Sequence, residues 1–299
     1  MPPKLSFQNV SKRYGDQFTV RDISFQVAPG EVFGLLGPEG AGKSTVLNML
    51  TGLVRPTSGT IQVLGKELRK NFVYIAAQMG VLTQPPAFFE NLTVRRNLLL
   101  QGRLARRDVS LMRVLDWVGL VDAAGQHVGR LGPEARQRFG LAQALISEPD
   151  LLVLDEPTFG LDMEASEEIF RLIRRVVLKA GVTVVLASHL MYEVEALCDR
   201  VGLLHKGELI ACDETTQVIS YDPNQVEVLL EGAETAGRRL AEQVWVADVE
   251  VRPARVFVQL RERNVHQLCA FLVQAGFKIN GVIPRRRTLQ EYLLKVMNR

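Results

Sequence analysis

Residues Gly37 to Ser44 read Gly-Pro-Glu-Gly-Ala-Gly-Lys-Ser, the glycine and lysine spacing of a phosphate-binding loop. Such glycines let successive backbone N–H groups turn inward onto phosphate oxygens. A helix opening at the end of the loop adds partial positive charge at the same place. Lys43 is placed to reach β- and γ-phosphates, and Ser44 offers a hydroxyl to Mg²⁺. A second group of reactive residues lies downstream, where an apolar run from Leu151 to Leu154 ends in two acids, Asp155 and Glu156. Ligands of an open parallel sheet bind at the carboxyl ends of its strands. Asp155 is therefore expected beside the loop, holding Mg²⁺ directly or through water. Glu156, one residue further out, is expected to act as general base toward an attacking water.

These groups need strands and helices behind them. Val32, Phe33, Leu35 and Leu36 read as a buried strand entering the loop, and Val46, Leu47, Met49 and Leu50 recur at helical spacing after it. Up to about residue 215 the chain alternates strands with helices, an α/β pattern. Strands are expected over 5–10, 23–27, 61–64, 72–76, 151–154 and 183–187, with a long helix over 163–179. Three consecutive helices, over 94–106, 111–118 and 134–147, interrupt the alternation and read as an inserted helical subdomain spanning 85–148. A turn-rich stretch at 221–224 marks a boundary. Beyond it the order is strand 226–230, helix 235–242, strands 246–251 and 255–260, helix 265–274 and strand 279–283, a βαββαβ ferredoxin-like arrangement. An amphipathic helix is expected over 289–297, and Arg285, Arg286 and Arg287 are read as a solvated loop. The expected domains are 1–218 and 225–299.

Composition narrows the function. With 47% hydrophobic residues among 299, the chain can bury a sizeable core. The 36 basic and 33 acidic residues leave a net charge of only +3, which argues against nucleic acid as a partner. The three cysteines, Cys198, Cys212 and Cys269, are odd in number and far apart, so neither a disulfide framework nor a structural zinc site is expected. The N-terminus lacks the apolar stretch of a signal peptide, and no apolar run approaches the ~18 residues of a membrane span.

The two motifs, with a helical block between them, resemble the ATP-binding subunit of ABC transporters, and the likeness covers residues 4–215. The resemblance implies a P-loop NTPase fold: a RecA-like core with an antiparallel β subdomain and the inserted helical subdomain. It implies ATP held by Gly37, Pro38, Glu39, Gly40, Ala41, Gly42, Lys43, Ser44 and Thr45, with Tyr14 stacked on adenine. Gln84 matches the glutamine that senses Mg²⁺ and couples to the membrane partner, so the implied metal residues are Ser44, Gln84 and Asp155. Gly160-Leu161-Asp162 resembles the D-loop, which adds Asp162 to the implied ATP-binding residues, and His189 resembles the switch histidine that contacts the γ-phosphate. The implied catalytic set is Glu156, His189 and Gln84. The implied partners are a separate transmembrane permease and a second ATP-binding subunit, which would place the chain on the cytoplasmic face of the membrane. The C-terminal domain looks like the extension of exporter subunits of the drug-resistance and sodium-extrusion type.

One motif departs from that family. Its signature, LSGGQ, lends a serine hydroxyl and glycine N–H groups to the γ-phosphate bound by the partner subunit of a head-to-tail dimer. Here the segment reads Leu131-Gly132-Pro133-Glu134-Ala135, while the following Gln137-Arg138 match the family. Gly132 supplies no hydroxyl and Pro133 no N–H. Glu134 brings a carboxylate toward a polyanion. A lost donor of this kind can cost about 2.7–4 kcal/mol in a transition state. A homodimer would inherit the damage twice, so a heterodimer with asymmetric ATP sites is favoured. The alternative is a regulatory or structural ATP-binding subunit with little hydrolysis of its own. Glu39 is a lesser departure, since the family more often has Asn or Ser there. A soluble ABC ATPase of DNA repair or translation would carry paired cassettes or long coiled-coil insertions, and this sequence has neither.

Overall fold

The computed structural model describes residues 2–104, 110–219, 221–262, 264–286, 289 and 292. Alternating apolar and polar residues near the start give two long antiparallel strands, β1 (Leu5–Tyr14) and β2 (Gln17–Val27). The all-buried β3 (Val32–Leu36) follows and leads through the loop into α1 (Lys43–Leu50). The chain then adds β4 (Ser58–Val63) and the two-residue β5 (Lys66–Glu67) to the first two strands, in the order β2-β1-β4-β5.

Residues 72–76, expected as a strand, form a short helix instead, α2 (Phe72–Ala76). Phe72, Val73 and Tyr74 are exposed and Ile75 alone is buried. A brief apolar run cannot by itself separate strand from helix, and here only one of its side chains meets the core. The next strand, β6 (Met79–Leu82), carried no expectation. The helical block is α3 (Val94–Leu104), α4 (Leu111–Val118) and α5 (Pro133–Leu145). After it come β7 (Leu151–Asp155), α6 (Met163–Ala180), β8 (Thr183–Ser188), α7 (Met191–Leu197), and a hairpin of β9 (Arg200–His205) and β10 (Glu208–Glu214).

The second sheet runs β10-β9-β3-β8-β7-β6, parallel except for β10. β3 and β8 are buried along their whole length, as continuous apolar strands of a parallel sheet should be. One core joins both sheets to α1, and stacked rings of Phe7, Phe25 and Phe33 bridge them with centroids 4.6 and 5.0 Å apart. Among the described residues no helix is long and apolar enough to cross a membrane.

The chain separates into two compact units, Met1–Thr215 and Thr216–Arg299, with the one-turn α8 (Thr215–Val218) at the junction in sequence. The second unit holds β11 (Tyr221–Leu230), α9 (Ala233–Ala241), β12 (Val246–Arg252), β13 (Arg255–Leu260), α10 (Val265–Gln274) and β14 (Ile279–Arg286). Its sheet, β12-β13-β11-β14, is antiparallel throughout, and its core includes Val228, Val256, Leu240 and Leu268. The turn-rich 221–224 is the first part of β11, which pairs with β13 only from Gln225 onward, so Pro223 interrupts no ladder on that side. Arg285 and Arg286 belong to β14 rather than to a loop. Arg287 and nearly all of 289–297 lie outside the described residues.

Candidate active site

Four strand ends meet in one place. Register pairs Leu36 of β3 with Ser188 of β8, Ala187 of β8 with Asp155 of β7, and Leu154 of β7 with Leu82 of β6. The residues just past those ends are the loop from Gly37, then His189, Glu156 and Gln84. They share a cleft of about 490 Å³ lined by Thr19, Glu39, Gly40, Ala41, Gly42, Lys43, Ser44, Thr45, Gln84, Glu156, Phe159 and His189.

The loop needs glycine at Gly42, where φ is 105° and a Cβ would lie 2.7 Å from the carbonyl of Thr19. Lys43 Nζ donates to the carbonyls of Gly37 (2.8 Å) and Pro38 (3.2 Å) and lies 3.9 Å from Glu156 Oε1. Burial pulls the Lys43 ammonium below its ordinary pKa, and the charges of Glu156, Asp155 and Glu39 oppose that only in part. Asp155 shows the mirror effect. Burial pushes its carboxyl up and Glu156 adds to the push, against a hydrogen bond from Ser44 and the charge of Lys43. Asp155 Oδ1 is buried without a hydrogen-bond partner. A polyanion beside Lys43 and a divalent cation beside Asp155 would each favour the charged form of the neighbouring side chain and oppose the effect of burial.

Glu156 sits in left-handed backbone conformation (φ 47°), which costs a non-glycine residue about 1–3 kcal/mol. The turn is held by Glu156 N–H donating to the Ala187 carbonyl at 3.0 Å. It leaves the carboxylate between two partners, Lys43 on Oε1 and His189 Nδ1 at 2.9 Å on Oε2. With Glu156 ionised, Nδ1 carries the proton and Nε2 is the nitrogen left for a ligand.

Other residues singled out from the sequence are placed differently. Tyr14 ends β1, is 51% exposed, and carries Lys12 Nζ 4.8 Å from its ring centre; it is not among the cleft-lining residues. Asp162 caps α6, accepting from Ala165 N–H at 2.9 Å, and is likewise not in the lining. Glu39 is exposed at the rim. Thr19 and Phe159 line the cleft without having been foreseen. Thr19 arrives because β2 runs over the loop, and Phe159, 60% exposed, because the turn after Glu156 carries it to the mouth. No local pattern marks either one.

At the start of α5, Gly132 is the N-cap, Pro133 the first helical residue and Glu134 an acid in the first turn. Glu134 Oε1 accepts from Arg138 Nε at 2.7 Å, and Arg138 also binds Glu168 and the Val118 carbonyl. Arg136 ties the preceding loop together through Leu131 O, Gly129 O and Glu90 Oε1.

The model of the family described as "ABC transporter" matches residues 20–159. The chain is 32% identical over 294 residues to the bacitracin transport ATP-binding protein BcrA of Bacillus licheniformis, covering 97% of this chain and 95% of that protein. It is 36% identical over 221 residues to the linearmycin resistance ATP-binding protein LnrL of Bacillus subtilis, covering 72% and 71%. Among solved structures, the ATP-binding cassette MJ0796 in a dimeric post-hydrolysis state with ADP and Pi superposes with a TM-score of 0.65 at 24% identity. That match covers 71% of this chain and 98% of the cassette, and it concerns the fold alone.

Proposed function

This chain belongs to the ABC transporter family as an ATP-hydrolysing, ATP-binding subunit of the exporter type, and we propose that it powers a separate transmembrane permease from the cleft described above. The observation that carries this reading is the convergence of Lys43, Glu156 and His189 at neighbouring strand ends. In this reading Lys43 exchanges the carbonyls of Gly37 and Pro38 for β/γ-phosphate oxygens, and the loop N–H groups from Glu39 to Thr45 cradle the rest. Tyr14 is the proposed adenine platform. Glu156 polarises the attacking water and takes its proton. His189, oriented through Nδ1, presents Nε2 to the γ-phosphate.

The donor set of Ser44, Gln84 and Asp155 is all oxygen, and the partnerless Asp155 Oδ1 fits a hard cation that keeps some of its waters. These three residues would hold Mg²⁺, which when bound spreads the charge of the β- and γ-phosphates. Asp162 acts through its helix cap, by fixing the turn that follows Glu156.

The partner ATP-binding subunit is proposed to be a different chain with an intact signature, completing the half-site built here. The partner's own ATP would face Gly132-Pro133-Glu134 and turn over slowly. A second reading, an ATP-binding regulatory subunit with little hydrolysis, is favoured by Pro133 at the first position of α5, where an N–H donor is missing. ATPase assays on the purified chain separate the two. Lys43→Ala should abolish activity. Gly132→Ser, Pro133→Gly and Glu134→Gly together should raise it. If the restored protein is no faster, and the native chain alone already runs near ~10 s⁻¹, the asymmetry is wrong.

A further inference from the structure

Among the described residues of the first unit, Glu193 is the most deeply buried acid that the mechanism leaves unused, at 1% exposure. It lies on α7, which packs on β3, β8 and α6. The approach of α7 to the sheet depends on Gly34, where a Cβ would fall 2.6 Å from Cys198 Sγ and 3.1 Å from Val194. Drawn in by that packing, the Glu193 side chain ends against the last residue of β8. Glu193 Oε2 is 2.5 Å from Ser188 Oγ, and Ser188 Oγ accepts from Leu190 N–H at 2.9 Å. The bridge spans both sides of His189. Glu193 Oε1, by contrast, is buried without a hydrogen-bond partner.

We propose that Glu193 is a positioning residue for the hydrolysis: its buried carboxyl clamps Ser188 and so fixes the β8–α7 turn that holds the His189 ring against Glu156. The proposal rests on the reading of His189 given above.

The two protonation states hold the turn differently, because ionisation strengthens the bond that Oε2 accepts from Ser188 Oγ–H and leaves Oε1 as an unpaired buried charge. Burial, reinforced by the charge of Glu156, pushes the Glu193 pKa up to about 7, against the Ser188 hydrogen bond and the pull of His189. The elements around it supply few other charges. Glu156 comes from the end of β7, His189 from the turn itself and Cys198 from the end of α7. α6 brings Arg174, which is engaged by the Ala196 carbonyl at 2.6 Å, and β3 offers only apolar residues and Gly34. The carboxyl is therefore protonated below about pH 7 and ionises above it, which changes the charge of the group that holds the turn.

The test is a pH titration of the full-length chain labelled with ¹⁵N-histidine, followed by NMR without nucleotide, with the His189 signal assigned by its loss in His189→Gln. In the native protein the His189 ring should respond to a second ionisation near pH 7 beyond its own. Glu193→Gln, whose neutral amide keeps an oxygen that can accept from Ser188 Oγ–H, should remove that second step and leave kcat for ATP close to native below pH 7. Glu193→Ala should lower kcat by up to about 10²-fold, the scale of a misplaced catalytic group, with KM for ATP unchanged. Superimposable His189 titrations in the native and Glu193→Gln proteins would overturn the proposal, as would a Glu193→Ala protein with native kcat. If Glu193→Ala does not fold, the Glu193→Gln titration still decides. The titration needs no turnover, so it stands or falls apart from the ATPase assignment.

Discussion

At and just beneath the cleft, where Asp155 ends β7 behind the lining, Asp155 Oδ1 is buried with no hydrogen-bond partner, burial drives Lys43 and Asp155 toward neutrality, and Glu156 is held at φ 47°. At the start of α5, Glu134 is paired with Arg138, Arg136 is bound three ways, and proline fills the helix position that suits it best. Both segments belong to motifs that the family brings to ATP. One is left chemically unsatisfied, which a folded chain tolerates where a ligand will complete it. The other has satisfied its polar groups within its own chain. The contrast supports the proposal that the working half-site is the cleft and that the α5 start serves as a structural helix opening.

The sharpest way to break that contrast is Glu156→Gln. Gln keeps the size of the side chain and removes its basicity. ATP binding should persist while hydrolysis slows by about 10²–10⁴-fold, the usual contribution of a general base. Unchanged turnover at saturating ATP would mean that the cleft is not the working half, and the two regions would have to exchange roles.

Much of this site was legible before any fold was known, and the reason is local. Gly42 and Lys43 announce themselves by spacing, because a phosphate cradle is built from consecutive backbone groups. Asp155 and Glu156 are legible only together with the upstream loop, because a buried strand that ends in two acids is by itself more often just a polar turn. Gln84 and His189 needed the family likeness, since nothing nearby tells a lone Gln or His what faces it; the order β3-β8-β7-β6 is what brings them together. Thr19 and Phe159 were invisible because their place depends on β2 crossing the loop and on the turn after Glu156. Glu193 carried no expectation, because its place depends on α7 packing over Gly34. The same dependence on long-range packing explains 72–76, where a strand-like run with a single buried residue folded as α2.

The unsatisfied state of the cleft has its own test in stability. Asp155→Asn replaces a buried carboxylate by a neutral amide of the same shape. It should abolish ATPase activity and yet raise the melting temperature of the nucleotide-free chain. A gain of about 2–4 °C corresponds to about 1 kcal/mol for a domain of this size. Such exchange of stability for function is common at active sites. A variant that melts lower than the native chain would show that the Asp155 carboxylate stabilises the fold by itself, and the cleft would then be no more strained than the start of α5.

The smallest expected effect bears on the other half of the comparison. If Glu134 serves only to open α5, then Glu134→Ala removes an exposed i,i+4 pair with Arg138 and some favourable charge at the helix start. The midpoint of denaturant unfolding should fall by the equivalent of about 0.3–0.5 kcal/mol, with the slope of the transition unchanged. The ATPase rate should not move, because the missing serine hydroxyl and the missing N–H of Pro133 are still missing. That separates Glu134→Ala from the triple replacement that restores the donors. If Glu134→Ala alone speeds hydrolysis, the carboxylate has left Arg138 to face the partner's phosphates in the dimer. The damage to the signature would then be repulsion rather than absent donors. Arg138 would become the residue that holds that repulsion in check, and Arg138→Ala should make the native signature slower still.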